Sequence, residues 1–283
     1  MFSILTLLKV CGDENGHVNI IVYTDDGKRF SKFPVEIVEL NKSKLNEWLS
    51  GSDYIHRRKT CVIIDALDRF GGKIAFIDSD TWFRCHPKKI FDRIAPGKAV
   101  FHICEGFVAA TRTPFDDALA RQLQTIPLVL RSGNPVRFEK RTKMWNTGVI
   151  GVDSADRELL LDALHLSDDI WRTADSSGAY GGKIHHAEQF ATGYAFRNCR
   201  LSEAADCVYH YWPGDAKRAV AIVAPRLIDE WVADRGAEAL NRVYAHRYRE
   251  QGLSAWFDAF KMLIRQMALA LGFSVKGARR SVL

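Results

Sequence analysis

Residues 73–83, KIAFIDSDTWF, constrain the fold of this chain more than any other stretch. Lys73 to Ile77 is a short apolar run that reads as a strand, and Asp78-Ser79-Asp80 sits at its carboxyl end. Before it, Arg57 to Phe70 has helical spacing, with Cys61, Ile64, Ala66 and Leu67 near one face, and Gly71-Gly72 stops it. The same alternation recurs along the chain. Val18 to Tyr23 reads as a buried strand closed by the turn Thr24-Asp25-Asp26-Gly27, and Val35 to Leu40 as a weaker one. Ala99 to Ile103, Phe107 to Ala110 and Asn146 to Val152 read as further strands, with Val208 to Trp212 a late strand or loop edge. Asp156 to His165 and Ile184 to Tyr194 read as helices. Alternating strands and helices predict an α/β fold, a mostly parallel sheet with flanking helices. Ligands of such sheets bind outside the carboxyl ends of the strands, which directs attention to Thr24–Asp26 and Asp78–Asp80.

The 283 residues suit one large domain or two small ones. With 47% hydrophobic and 26% charged residues and 8 prolines, a disordered or collagen-like chain is excluded. The net charge of +6 favours anionic partners. No helix-turn-helix, zinc finger or aromatic RNA-binding motif accompanies it, so nucleic acid is not an expected partner. The cysteines at 11, 61, 85, 104, 199 and 207 form no CxxC pair and fit neither a zinc site nor a disulfide scaffold. They read as reduced thiols in a cytoplasmic protein. No apolar run approaches the roughly 20 residues of a membrane span, and MFSILTLLKV lacks the features of a signal peptide. Ser3 to Lys9 carries Ile4, Leu5, Leu7 and Leu8 on one helical face, whereas a doubly wound fold opens on a strand. Either the chain starts within its first helix and the first strand is missing, or residues 2–9 are that strand.

Extended geometry places Asp78 and Asp80 on one side and Ser79 opposite. Two carboxylates at the mouth of a cleft repel unless a cation joins them, and their hard oxygens suit Mg²⁺ or Mn²⁺. An Asx-turn after a buried strand would explain one of them.

Taken in order, IVYTDD, KIAFIDSDTWF with Pro87 and Ile90-Phe91, WNTGVIGV, HHAEQFATGY and YHYW resemble the GT-A nucleotide-sugar glycosyltransferases over about residues 2–215. The order and spacing are closest to the glycogenin-like and bacterial lipooligosaccharide galactosyltransferase group. The resemblance implies the GT-A fold, with Asp78, Asp80 and His210 as ligands of Mn²⁺ or Mg²⁺, imidazole leaning the choice toward Mn²⁺. Without the resemblance, His210 reads equally well as a strand-edge residue packed among Tyr209, Tyr211 and Trp212. The resemblance also implies that Asn146 and Gly148 meet the donor, the amide at a sugar hydroxyl and the glycine by close backbone approach. It makes Glu188 and Gln189 the catalytic pair, where the group has Asp-Gln. Glu for Asp is a departure, and a solvated helical Glu is the plain alternative. His185 and His186 read as structural. Lys59, in the run Arg57-Arg58-Lys59, is expected to reach the donor phosphates, although such a run is usually a solvated face. Thr24 and Asp25 are expected at uridine or ribose, with Ser79 beside them. Lys217 is a weaker phosphate candidate, because Trp212-Pro213-Gly214-Asp215-Ala216-Lys217 departs from the group's Gly-x-x-Lys-Pro-Trp segment.

The expected activity is metal-dependent transfer of a sugar from a nucleoside diphosphate donor, UDP foremost, to a glycan, lipid-linked or protein acceptor. The alternatives are a catalytically impaired sugar-nucleotide-binding or scaffold protein of the same fold, and a nucleotidyltransferase. The last needs a Gly-rich phosphate loop that the sequence does not show. Residues 1–225 are expected to form the catalytic domain and 226–283 a helical extension. Ser254 to Arg280 is basic and amphipathic, suited either to peripheral contact with the inner membrane face or to docking on its own domain.

Overall fold

A computed structural model describes residues 1–12, 18–108, 123–139, 141–176, 186–211 and 214–249, with residues 264 and 267. The central sheet has the strand order β3 (Lys73–Ile77), β8 (Lys143–Asp153), β5 (Lys98–Phe107), β9 (Arg200–Glu203). It is mixed, which corrects the expectation of a mostly parallel sheet: β8 runs antiparallel to both β3 and β5, and only β5 and β9 are parallel. The reason the sequence misleads is burial. Met144 to Val152 of β8 is buried at every position, and an antiparallel strand covered on both faces reads like a parallel one.

Both covers are visible in the core. On one face Phe101, Ile150 and Val152 pack with Ile63 and Leu67 of α3 (Arg57–Phe70) and with Leu160 and Ala163 of α5 (Arg157–Ser176). On the other, Val100 and Val149 pack with Leu7 and Cys11 of α1 (Phe2–Cys11) and with Ile90 of α4 (Lys88–Phe91). Each fully buried Ile or Val contributes about 1.5–3 kcal/mol, so β8 and β5 anchor the sheet.

β1 (Ile21–Thr24) pairs in parallel with β2 (Glu36–Glu39) in a separate ribbon, and α2 (Lys42–Glu47) follows. Among the described residues no ladder joins β1 to β3. Instead a cavity of about 400 Å³ lies between them, lined by every residue of both strands together with Ile4, Leu7, Asp78 and Ser79. Consecutive residues, rather than alternate ones, line it, so the strands present their edges to this space. β4 (Thr81–Phe83) pairs antiparallel with β10 (Val208–His210), and β6 (Leu128–Val129) with β7 (Pro135–Val136).

Several expected bounds shift. Residues 2–11 are a helix, not a strand, with Leu5 fully buried. The first β-strand starts at Ile21 rather than Val18. β5 is one strand where two were expected, and Ala109 and Ala110 lie outside the described residues. α5 continues to Ser176, past His165. α6 (Ala187–Ala195) covers the described part of the helix expected from Ile184, and β10 ends at His210 rather than Trp212. The C-terminal helices begin at α7 (Gly214–Asp234), so the expected boundary at 225/226 falls inside a helix. α7 and α8 (Ala237–Arg249) bury Leu227, Trp231 and Val243 against Phe2, Leu5, Leu8 and Trp82, which makes them part of the same core. Apart from Ile264 and Met267, the basic tail lies outside the described residues. No helix among those described is long and apolar enough to cross a membrane.

Candidate metal centre and its buried glutamate

β3 ends at Ile77, and the backbone turns from it through Asp78 to Asp80 into β4. The turn is held by Asp78 N–H donating to Gly148 O at 2.9 Å and by Thr81 Oγ1 donating to Asp78 O at 2.7 Å. β10, paired to β4, delivers His210 opposite Thr81, and Tyr211 N–H donates to Asp80 O at 2.9 Å. Two strand ends thereby bring Asp78, Asp80 and His210 together, with one ligand atom from each inside 4.8 Å of the others.

The imidazole is oriented from behind. Asn146 Nδ2 donates to Glu105 at 2.9 Å, which turns its Oδ1 toward Gly148 N–H (2.9 Å) and His210 Nδ1 (3.0 Å). Nδ1 is therefore the donor nitrogen, and Nε2 faces the carboxylates. Nε2 lies 3.2 Å from Asp80 Oδ1 and 3.9 Å from Asp78 Oδ2. An Nε2 without a proton and two carboxylates are all acceptors, so a proton on Nε2 or a divalent cation between them relieves their mutual contact. Two hard oxygens with one imidazole suit a divalent ion, Mn²⁺ better than Mg²⁺.

Gly148 has ordinary backbone angles, and what it provides is space. A Cβ there would stand 2.6 Å from Cε1 and 2.8 Å from Cγ of His210. The close approach expected of a donor at this glycine is made by the histidine ring.

Lysines meet both carboxylates, Lys59 on the Asp78 oxygen that faces His210 and Lys217 on the Asp80 oxygen that does not. Lys59 Nζ lies 2.9 Å from Asp78 Oδ2 and donates to Thr147 O at 3.2 Å, and Lys217 Nζ lies 3.0 Å from Asp80 Oδ2. Burial alone would raise the Asp80 pKa, but hydrogen bonds and charge from His210 and Lys217 outweigh it and hold the carboxyl well below the usual range. Lys59 is nearly buried, whereas the Lys217 side chain is 62% exposed and can swing away.

Glu188 is not a solvated helical residue: its side chain is 3% exposed. Tyr54 Oη donates to its Oε2 at 2.6 Å and Thr147 Oγ1 to its Oε1 at 3.1 Å, while Lys59 Nζ lies 3.9 Å away. Its own N–H donates back to Tyr54 Oη at 2.9 Å. Burial, then the Glu188 charge, pushes the Tyr54 hydroxyl pKa far up, so it stays a donor. Lys59 thus links the acidic cluster to a second, sequestered carboxylate. Next to it, Gln189 Oε1 is buried without a hydrogen-bond partner among the described residues.

The remaining candidates divide. Thr24 and Ser79 line the cavity that reaches Asp78, with Ser79 exposed and its carbonyl accepting from Tyr211 Oη at 3.4 Å. Asp25 is exposed in the bend after β1 and stays outside the cluster. In the basic run, Arg57 is turned to Asp168 at 2.8 Å and Arg58 to Leu45 O at 3.1 Å, so only Lys59 enters the site. His185, Trp212 and Pro213 lie outside the described residues. Sequence reasoning missed Tyr54, Glu105 and Thr147. Thr147 lies inside WNTG, between two residues that were singled out, whereas nothing in GSDYIHRRK marks Tyr54 as the partner of a residue 134 positions away.

No family model matches the chain, and no curated protein is similar to it.

Proposed function

We propose that this chain is a divalent-metal-dependent glycosyltransferase of the GT-A type, taking its sugar from a nucleoside diphosphate donor, UDP-linked foremost. The observation that carries the reading is the convergence of Asp78, Asp80 and a histidine already oriented by Asn146, at the end of a sheet strand and beside an open cavity. Asp78, Asp80 and His210 would hold Mn²⁺, which when bound offsets charge on a leaving diphosphate. Lys217, exposed and tethered among the described residues to Asp80, can turn its ammonium onto phosphate oxygens. Glu188 accepts a hydroxyl on each oxygen with Lys59 close by, and we assign it as the carboxylate that serves the reacting sugar. The acceptor is proposed as a glycan or lipid-linked sugar, with the basic tail as a peripheral membrane contact.

Calorimetric titration with UDP tests this reading. Mn²⁺ is expected to raise UDP affinity at least tenfold in the wild type and to have no effect in Asp80→Ala. Equal UDP affinity with and without Mn²⁺ in the wild type would overturn it. The open seam between β1 and β3 favours a second reading, a sugar-nucleotide binder without transfer. Metal-dependent UDP binding with no UDP released from any UDP-hexose would select that reading instead.

A further inference from the structure

Two cysteines flank the strand pair that carries the metal centre. Cys85 follows β4 and Cys207 precedes β10, and the pairing continues to them because Arg84 N–H donates to Cys207 O at 2.7 Å. Their sulfurs stand 2.8 Å apart. The Cys85 thiol faces Cys207 Sγ as a hydrogen-bond donor. Unbonded heavy atoms rest at about 3.5–4.0 Å and a disulfide needs about 2.05 Å, so the two sulfurs stand about midway between contact and bond. We propose that Cys85 and Cys207 form a reversible disulfide that ties β4 to β10 at the end of the pair remote from Asp80 and His210. The cysteine spacing in sequence gives no sign of this, because 122 residues separate the two.

The exchange needs a low-molecular-weight disulfide, for which glutathione disulfide serves. Cys85 is half-buried and Cys207 fully buried, so Cys85 is the entry thiol. Its thiolate attacks one glutathione sulfur, breaking that S–S bond and releasing one glutathione thiolate. The Cys207 thiolate then attacks the Cys85 sulfur and releases the second. Two protein thiols are oxidised, one glutathione disulfide is reduced to two glutathiones, and the two thiol protons pass to them. Burial, reinforced by the neighbouring Cys85 and Asp206, pushes the Cys207 thiol up to about 12, which makes the second attack the slow one. Arg93, held by Asp206 at 2.7 Å, places its guanidinium 3.5 Å from Cys207 Sγ, where it favours the thiolate.

Incubating the full chain with glutathione disulfide, trapping free thiols and mapping peptides by mass tests the proposal. The free-thiol count is expected to fall from six to four, with one cross-linked peptide pair containing Cys85 and Cys207, and dithiothreitol should restore all six. Cys85→Ser should keep its remaining thiols through the same treatment, its fold checked by circular dichroism. Six thiols persisting in the wild type, loss at other cysteines, or arrest at a glutathione adduct on Cys85 would each overturn it.

Discussion

Replacing Gly148 with alanine is expected to lower Mn²⁺ affinity at least tenfold while β8 keeps its place in the sheet. The new methyl would stand under 3 Å from His210 ring carbons, far inside contact distance. Gly148 sits in the middle of the most buried strand, its carbonyl accepting from Asp78 N–H just past β3 and its N–H donating to the Asn146 side chain. The imidazole is the easier of the two to move. Its displacement breaks the Asn146 bond that fixes the donor nitrogen and takes Nε2 away from Asp80. Losses of 10–100-fold accompany such damage to the groups that orient a metal ligand. Overpacking adds about 1–3 kcal/mol of destabilisation. Mn²⁺ calorimetry beside thermal melts separates the two effects, and unchanged Mn²⁺ affinity would show that His210 is not a ligand.

The second large effect is at Glu188. Both carboxylate oxygens accept from hydroxyls, and Lys59 lies close by. Glu188→Gln sets an amide N–H against a hydroxyl donor, a mismatch of about 1–3 kcal/mol that rotation of the Thr147 hydroxyl reduces. Glu188→Ala leaves the buried Tyr54 and Thr147 hydroxyls without their acceptor, while Lys59 keeps Asp78 and Thr147 O, and is expected to cost about 1–3 kcal/mol for each orphaned hydroxyl. Where Glu188 serves the reaction, Glu188→Gln should lose about 10²–10⁴ in turnover even at temperatures where it is fully folded. A turnover loss that merely tracks the fraction folded would reduce Glu188 to a structural role.

The parts of this architecture legible in sequence were the local ones. KIAFI followed by two aspartates is an apolar strand with acceptors at its end, and Lys73–Ile77 and Arg57–Phe70 appear with the expected bounds. Strand direction was not legible, because burial on both faces removes the alternation that distinguishes an antiparallel strand in β8. Short polar elements also escaped. α2 is six residues, KSKLNE, defined by the Asn41 cap on Lys44 N–H rather than by an apolar face. In the site, Asp78 and Asp80 stood out, but His210 entered through resemblance alone, since its approach to them depends on the pairing of β4 with β10. The charge run Arg57-Arg58-Lys59 suggested an anion, and the anions that Arg57 and Lys59 meet are Asp168 and Asp78 of the chain itself. Tyr54 was invisible because a tyrosine in a loop carries no periodic signal, and only the fold stacks it on Trp171 and turns its hydroxyl to Glu188.

The central claim is that a dication belongs among Asp78, Asp80 and His210. An anomalous difference map from a crystal soaked in Mn²⁺ measures this directly. The predicted result is one manganese peak bonded to all three side chains, with Lys217 moved off Asp80. A map without a peak there, with Lys59 and Lys217 still resting on the two carboxylates, would contradict it.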